Sequence, residues 1–458
     1  MSKRAIFLLV FVCGFLQMPF AQTSDTITKG DFPPNDTLIL RLSLDDAIDL
    51  ALKNNWDVKL AQQNTLSSNQ DFRIALAAVL PKVGFSGTYN NFLLREKKFN
   101  APNTDANPTP YGFSSFTGNI HNFEEALSFS QVLFNYASFV GVKFAQTSVE
   151  IAKLAENVQE QETILAVKMA YYDILLAKDL LQVSEESYSY SEANFQNVQK
   201  YFKQGLSSEY DLLQAEVQLA NSEPQVIQAH NNLALAYLSL KSLLALDLQT
   251  KIEIESGFSR YMTFKPFVDS LPAFSPEKNY SYQSLERQKI MARHNISIMN
   301  SNFWPVLNLV GEWELKGKDN NFRLKDYYWT DNIQLGVSLS FNIFNGFSNR
   351  AQSQQAKIAY KQIEIQIDQL KYTLTQESIQ YKLNLEEAYK RIQAQQKGLE
   401  TARKALNIAF SRYLNGVGTQ LEIINNQSLF TEARSNFSQA IYDFLVALAS
   451  YKALQNIR

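Results

Sequence analysis

Two acids stand three residues beyond a hydroxyl side chain, each shortly after a glycine: Ser208 and Asp211 follow Gly205, and Thr419 and Glu422 follow Gly416. That spacing is a capping box, in which the hydroxyl accepts from a backbone N–H at the start of a helix and the acid reaches back to the cap residue. It also sets a negative charge where the helix dipole favours one. The glycines suit the left-handed residue that closes a preceding helix. Other residues with chemical reach do not assemble. His121 falls in a loop region and His230 and His294 on separate helices, without metal-ligand spacing. Gly416-Val417-Gly418 lacks the preceding strand and the remaining glycine of a dinucleotide loop. Asp45-Asp46 and Glu386-Glu387 are adjacent on amphipathic helices and read as solvated faces. The sequence offers no catalytic residue, cofactor site or metal site.

The elements that must carry the two acids are unusually long. From Asn345 to Asn415 the chain runs about seventy residues without proline, which as a helix would reach about 105 Å, too long for a compact domain. Its apolar residues step by four and three through Ile363, Ile367, Leu370, Leu374, Tyr381, Leu385, Ala388, Ile392, Leu399, Ala402, Leu406, Ala409 and Tyr413, the period of a left-handed coiled coil. A second stripe of Ile365, Tyr372, Ile379 and Leu383 lies beside the first, so the helix expects two neighbours. Immediately before it, Ile333, Leu335, Val337, Leu339 and Phe341 alternate with Gln334, Gly336, Ser338, Ser340 and Asn342. One fully apolar and one small polar face suit a membrane β-barrel strand, lipid on one side and water on the other.

The same order occurs twice. Residues 42–250 read as a first repeat, with strands at about 82–92 and 123–133, a long helix over 135–204 and a return helix over 208–246 that Pro224 should kink or divide. Residues 280–458 read as the second, with strands at about 306–316 and 332–343, a long helix over 345–415 and a return over 419–454. Between them 251–279 is a mixed linker. LSFSQVLFN from Leu127 matches VSLSFNIFN from Val337 at an offset of 210, and Gly205 matches Gly416 at 211. By length, the return from Ser208 and the helix leading to the third strand would stack end to end beside one long helix. The return from Thr419 and an N-terminal helix from Ser43 to about Leu80 would stack beside the other. Four strands per chain are too few to close a barrel, so one must be shared between chains.

The N-terminus supports that compartment. Lys3 and Arg4, the apolar run Ala5 to Leu16 and Pro19-Phe20-Ala21 read as a signal peptide over 1–21, followed by an extended leader over 22–41. The one cysteine, Cys13, lies inside the signal, so the mature chain has no thiol chemistry. Formal charge is −2, and −4 without Lys3 and Arg4, which gives no footprint for nucleic acid. The charged loop residues Arg95, Glu96, Lys97, Lys98, Lys316, Lys318, Asp319 and Arg323 read as solvated surface.

LSLDDAIDLALKNN at Leu42 to Asn55, LPKVGFSGTYN from Leu80, VSLSFNIFNG from Val337 and RYLNGVGTQLEIINNQ from Arg412 together resemble the TolC-like outer membrane efflux proteins, in family order and over nearly the whole chain from Leu42. Trp56 stands where the family often has proline. The resemblance implies an α+β membrane protein of the Gram-negative outer membrane. Its form would be a homotrimer with a twelve-stranded β-barrel, four strands per chain, continuous with a long α-helical coiled-coil barrel in the periplasm. Such ducts passively take cargo from an inner-membrane transporter of RND, ABC or MFS type through a periplasmic adaptor protein. By the same resemblance Asp211 and Glu422 lie near the periplasmic constriction, where Asn425 replaces a further acid, and rings of like charge there could set ion selectivity and closure. Gly205, Arg412, Tyr413 and Gly416 belong to the tip that the family presents to its adaptor. The reading from another class is a periplasmic coiled-coil scaffold with no pore.

Overall fold

A computed structural model describes residues 39–93, 97–99, 114–116, 120–255, 257–258 and 273–457. The expected signal peptide and most of the leader lie outside these residues. The chain divides into two units, one drawing on 73–142 and 297–353, the other on the described parts of 37–72, 143–296 and 354–458.

The first unit is built on a four-stranded antiparallel sheet. Its strands are β2 (Lys82–Asn91), β5 (His121–Phe134), β7 (Val306–Asp319) and β8 (Tyr328–Ser340), in the order β2-β5-β7-β8. Register turns the sequence alternation into two unlike faces. Phe85 stands opposite Leu127, Leu127 opposite Trp313 and Trp313 opposite Ile333, an apolar row across all four strands. One residue along, Gly84, Ser128, Glu312 and Gln334 form the row on the other face, where the Gln334 amide donates to Glu312 at 2.6 Å. Among the described residues the outer strands β2 and β8 each have an unpaired edge.

Several loop expectations give way here. A hairpin of β3 (Lys97–Phe99) and β4 (Ser114–Phe116) lies within the long first loop, so Lys97 and Lys98 are strand residues. Lys316, Lys318 and Asp319 belong to β7, and Lys316 pairs with Glu314 at 2.5 Å. His121 opens β5 rather than sitting in a loop, and its Nδ1 is 2.7 Å from the Tyr89 hydroxyl. Phe322, in the short connection 320–327, packs edge-on against both rings. The Trp329 ring covers Gly317, where a Cβ would meet it at 2.7 Å.

The second unit contains α1 (Leu44–Asn54), the start of α2 (Trp56–Ala77), nearly all of α3 (Tyr136–Lys203), α4 (Glu209–Leu243), most of α5 (Tyr280–Asn300), most of α6 (Ser348–Leu414) and α7 (Gln420–Leu454). Its core gathers Val167, Tyr171, Ile174 and Leu175 of α3, Ile48 and Ala51 of α1, and Leu240, Ile441 and Leu445 of the return helices. Toward Gly205 the contact between α3 and α7 turns polar. Asp179 takes the Ser438 hydroxyl, Glu186 pairs with Arg434, and the Gln427 amide donates to the Ser187 carbonyl at 3.1 Å and to Ser191 Oγ at 3.0 Å.

Other sequence expectations are refined or corrected. The extended leader's end and the linker's start form short strands, β1 (Leu40–Leu42) and β6 (Ile252–Ile254), paired in parallel with an Arg41–Glu253 ion pair at 3.3 Å. The helix expected from Ser43 to Leu80 is interrupted at Asn55, whose ψ of 137° leaves the helical region. Of the two outcomes expected at Pro224, a kink or a division, division does not occur: α4 runs from Glu209 to Leu243 with the proline inside it. Finally, the stacking partners are exchanged: α4 ends against the start of α2, and α7 ends against the start of α5, through bonds from Asn55 to Leu243 and from Asn279 to Leu454. Helix length could not decide this, because α2 and α5 have 22 and 21 residues while α4 and α7 both have 35.

Candidate functional site

The two helix-reversing turns lie together at the end of the second unit. In the first, α3 closes with Gly205 at φ +74°, and the Leu206 N–H returns to the Tyr201 carbonyl at 2.8 Å. In the second, α6 closes with Gly416, also at φ +74°, and both Val417 and Gly418 N–H donate to the Arg412 carbonyl. Gly416 is required by its backbone angle. Gly418 is required by space, since a Cβ there would come within 2.9 Å of the Tyr413 nitrogen. Composition and spacing pointed to the first glycine and passed over the second.

The two acids take different partners. Asp211 completes a full capping box: its N–H donates to Ser208 Oγ at 3.1 Å, and its Oδ2 accepts the Ser208 N–H at 3.3 Å. Ser207 Oγ adds a longer bond to the same oxygen at 3.4 Å. Glu422 forms only half a box. Its N–H donates to Thr419 Oγ1 at 3.3 Å, but its Oε2 accepts Arg412 Nε at 3.3 Å, and the same guanidinium donates to the Val417 carbonyl at 3.1 Å. The expectation of two equal capping boxes is corrected in this respect. Asn425 is exposed one turn further along α7.

Tyr413 joins the two turns. Its hydroxyl is hydrogen-bonded with Ser207, and burial pushes its pKa above the usual tyrosine range, with Asp211 and Tyr201 adding to the rise. Around this polar centre four large apolar side chains stand exposed among polar ones: Leu206, Tyr210, Leu414 and Val417, at 73%, 68%, 67% and 66%. Sequence reasoning missed Leu206, Tyr210, Val417 and Leu421. The repeat could have shown them, because the offset that pairs Gly205 with Gly416 also pairs Leu206 with Val417 and Tyr210 with Leu421. Among the described residues no group of three or more His, Cys, Asp or Glu is arranged to hold a metal ion. No described helix is long and apolar enough to cross a membrane.

A sheet with one lipid-compatible face, paired long helices and two glycine turns at their end define an outer-membrane channel of the TolC type. The sequence profile of the family described as "Outer membrane efflux protein" matches residues 47–246 and 282–455. This chain belongs to that family. It is similar to the alkaline protease secretion protein AprF of Pseudomonas aeruginosa, 25% identical over 89% of this chain and 83% of that one. The outer membrane protein TolC of Vibrio cholerae is 21% identical over 70% of this chain and 74% of its own length. Among solved structures, the outer membrane protein VceC of Vibrio cholerae superposes with a TM-score of 0.71 at 14% identity, over 90% of this chain and 96% of that one. The Campylobacter jejuni CmeC outer membrane channel gives 0.72 at 18% identity, over 90% and 85%. The protein is an outer-membrane channel for export.

Proposed function

We propose that the protein is the passive exit duct of a tripartite efflux or type I secretion system, closed from three copies of this chain. The carrying observation is the sheet. Ile333, Leu335, Val337 and Leu339 on β8 are 78%, 75%, 62% and 68% exposed, and both outer strands keep an open edge. An apolar face of that size is unstable in water and stable against lipid. Pairing β8 of one copy with β2 of the next covers the edges and leaves the polar row of Glu312 and Gln334 facing a lumen. The duct hydrolyses nothing, and an inner-membrane transporter supplies the energy through a periplasmic adaptor.

The turns are the proposed periplasmic end. Asp211 and Glu422, with Asn425 above, line the constriction, and the surface of Gly205, Arg412, Tyr413 and Gly416 docks the adaptor. Planar-bilayer conductance of the purified protein tests the duct, and Asp211→Ala and Glu422→Ala test the gate. Altered current and reduced cation preference support it, while wild-type values for both variants leave the acids a capping role alone. The scaffold reading predicts no conductance at all and a protein that stays in solution without detergent.

A further inference from the structure

Both return helices end in one conformation. Ala245 at φ 50° and Asn456 at φ 55° are left-handed residues, 211 positions apart, like the two glycines of the turns. At the end of α4 the carbonyls of Leu240, Lys241 and Ser242 are taken by the N–H groups of Leu244, Leu246 and Ala245. The Leu243 carbonyl is next in line and receives the Asn55 side-chain amide at 2.9 Å. At the end of α7 the carbonyls of Lys452 and Ala453 are taken by Ile457 and Asn456. The Leu454 carbonyl receives the Asn279 amide at 3.1 Å.

The other end of each asparagine also does the same thing twice. Asn55 Oδ1 accepts the N–H groups of Asp57 and Val58 at 2.9 and 3.3 Å, and Asn279 Oδ1 accepts those of Ser281 and Tyr282 at 3.0 and 3.3 Å. One planar amide thus caps the N-terminus of α2 or α5 with its oxygen and the C-terminus of α4 or α7 with its nitrogen. Asn55 is 5% exposed and Asn279 8%, so water competes poorly for either bond. A lone N-cap would need only the oxygen, and aspartate or serine would serve as well. The second joint carries one more bond, from Asn456 Nδ2 to the Lys278 carbonyl at 2.6 Å, where the first joint has the methyl of Ala245.

We infer that Asn55 and Asn279 are splice residues, positioning the tip-bearing return helices by joining each end to end with the helix that follows it in space. The consequence for transport rests on the duct reading: the splice fixes where the Asp211 and Glu422 turns are held. Hydrogen exchange of the purified full chain in detergent reads the joint itself, whether or not the protein conducts.

Asn55→Asp keeps the cap oxygen and loses the donor. It should speed exchange at 244–246, whose N–H groups close the end of α4, about fivefold and leave residues 57–60 of α2 unchanged. Asn55→Ala should speed both segments. At the second joint Asn279→Asp alone should have the smaller effect, because Asn456 still holds Lys278. Combined with Asn456→Ala it should match the first joint, and this pair decides the matter if the Asn55 variants do not fold. Wild-type exchange at the ends of α4 and α7 in the aspartate variants would make both residues plain N-caps and overturn the inference.

Discussion

Asp211 and Glu422 occupy equivalent places in their repeats, yet one is held by serines and the other by an arginine. The difference has a measurable consequence if the turns line a constriction. Arg412 offsets Glu422 within each chain, whereas Asp211 has no ion pair among the described residues. Arg412→Gln should therefore raise cation preference in bilayer reversal potentials, and Asp211→Asn should lower it; equal and opposite changes are not required, but the signs are. Alanine at Gly416 imposes an unfavourable left-handed angle, a cost of about 1 kcal/mol. Alanine at Gly418 must also displace backbone, so it should expose the turn to limited proteolysis more than Gly416→Ala does. The glycines and the three-residue spacing of the caps were legible in the sequence, since few residue types satisfy those geometries. The Arg412–Glu422 pair was not, because its ten-residue separation crosses a turn whose path the spacing does not encode.

At the scale of the element, the two stripes of α6 behave differently. Ile367, Leu374, Leu385, Ala388, Leu406 and Ala409 of the predicted seam are buried within one chain. Ile365, Tyr372, Ile379 and Leu383 of the second stripe remain exposed at 59%, 74%, 58% and 60%. Seven-residue steps from Ile365 to Tyr372 to Ile379 are those of a helix that meets another along its length. Ile365→Lys combined with Ile379→Lys should shift the detergent-solubilised protein from trimer to monomer by light scattering while helix content stays within about a tenth of wild type. Periodicity made the long helices readable because only a helix paired along its length needs apolar residues every 3.5 positions over many turns. It could not resolve β1 and β6, three residues each, whose pairing joins distant parts of the chain. Nor could it choose between two stacking schemes of equal length, which are told apart by the bonds from Asn55 to Leu243 and from Asn279 to Leu454.

At the scale of the molecule, four alternating strands fit both an unfinished barrel and a sheet half-covered by a core, and the exposure of Ile333, Leu335, Val337 and Leu339 favours the barrel. The register shows both faces running across all four strands, with β2 and β8 free to pair again. A charge on the lipid side of such a barrel is costly near mid-membrane, about 2–4 kcal/mol for lysine. Leu335→Lys should thus reduce assembly into membranes in heat-modifiability assays, whereas Gln334→Lys, one residue along and on the other face, should assemble normally and reduce cation current.

The claim on which these readings converge is that copies of this chain close a water-filled path through a lipid bilayer. Single-channel recording of the purified protein in planar bilayers tests it most directly. The account predicts discrete, cation-preferring current steps that become rarer with Leu335→Lys and are altered by Asp211→Ala. A protein that remains monomeric, needs no detergent and leaves the bilayer electrically silent would contradict it.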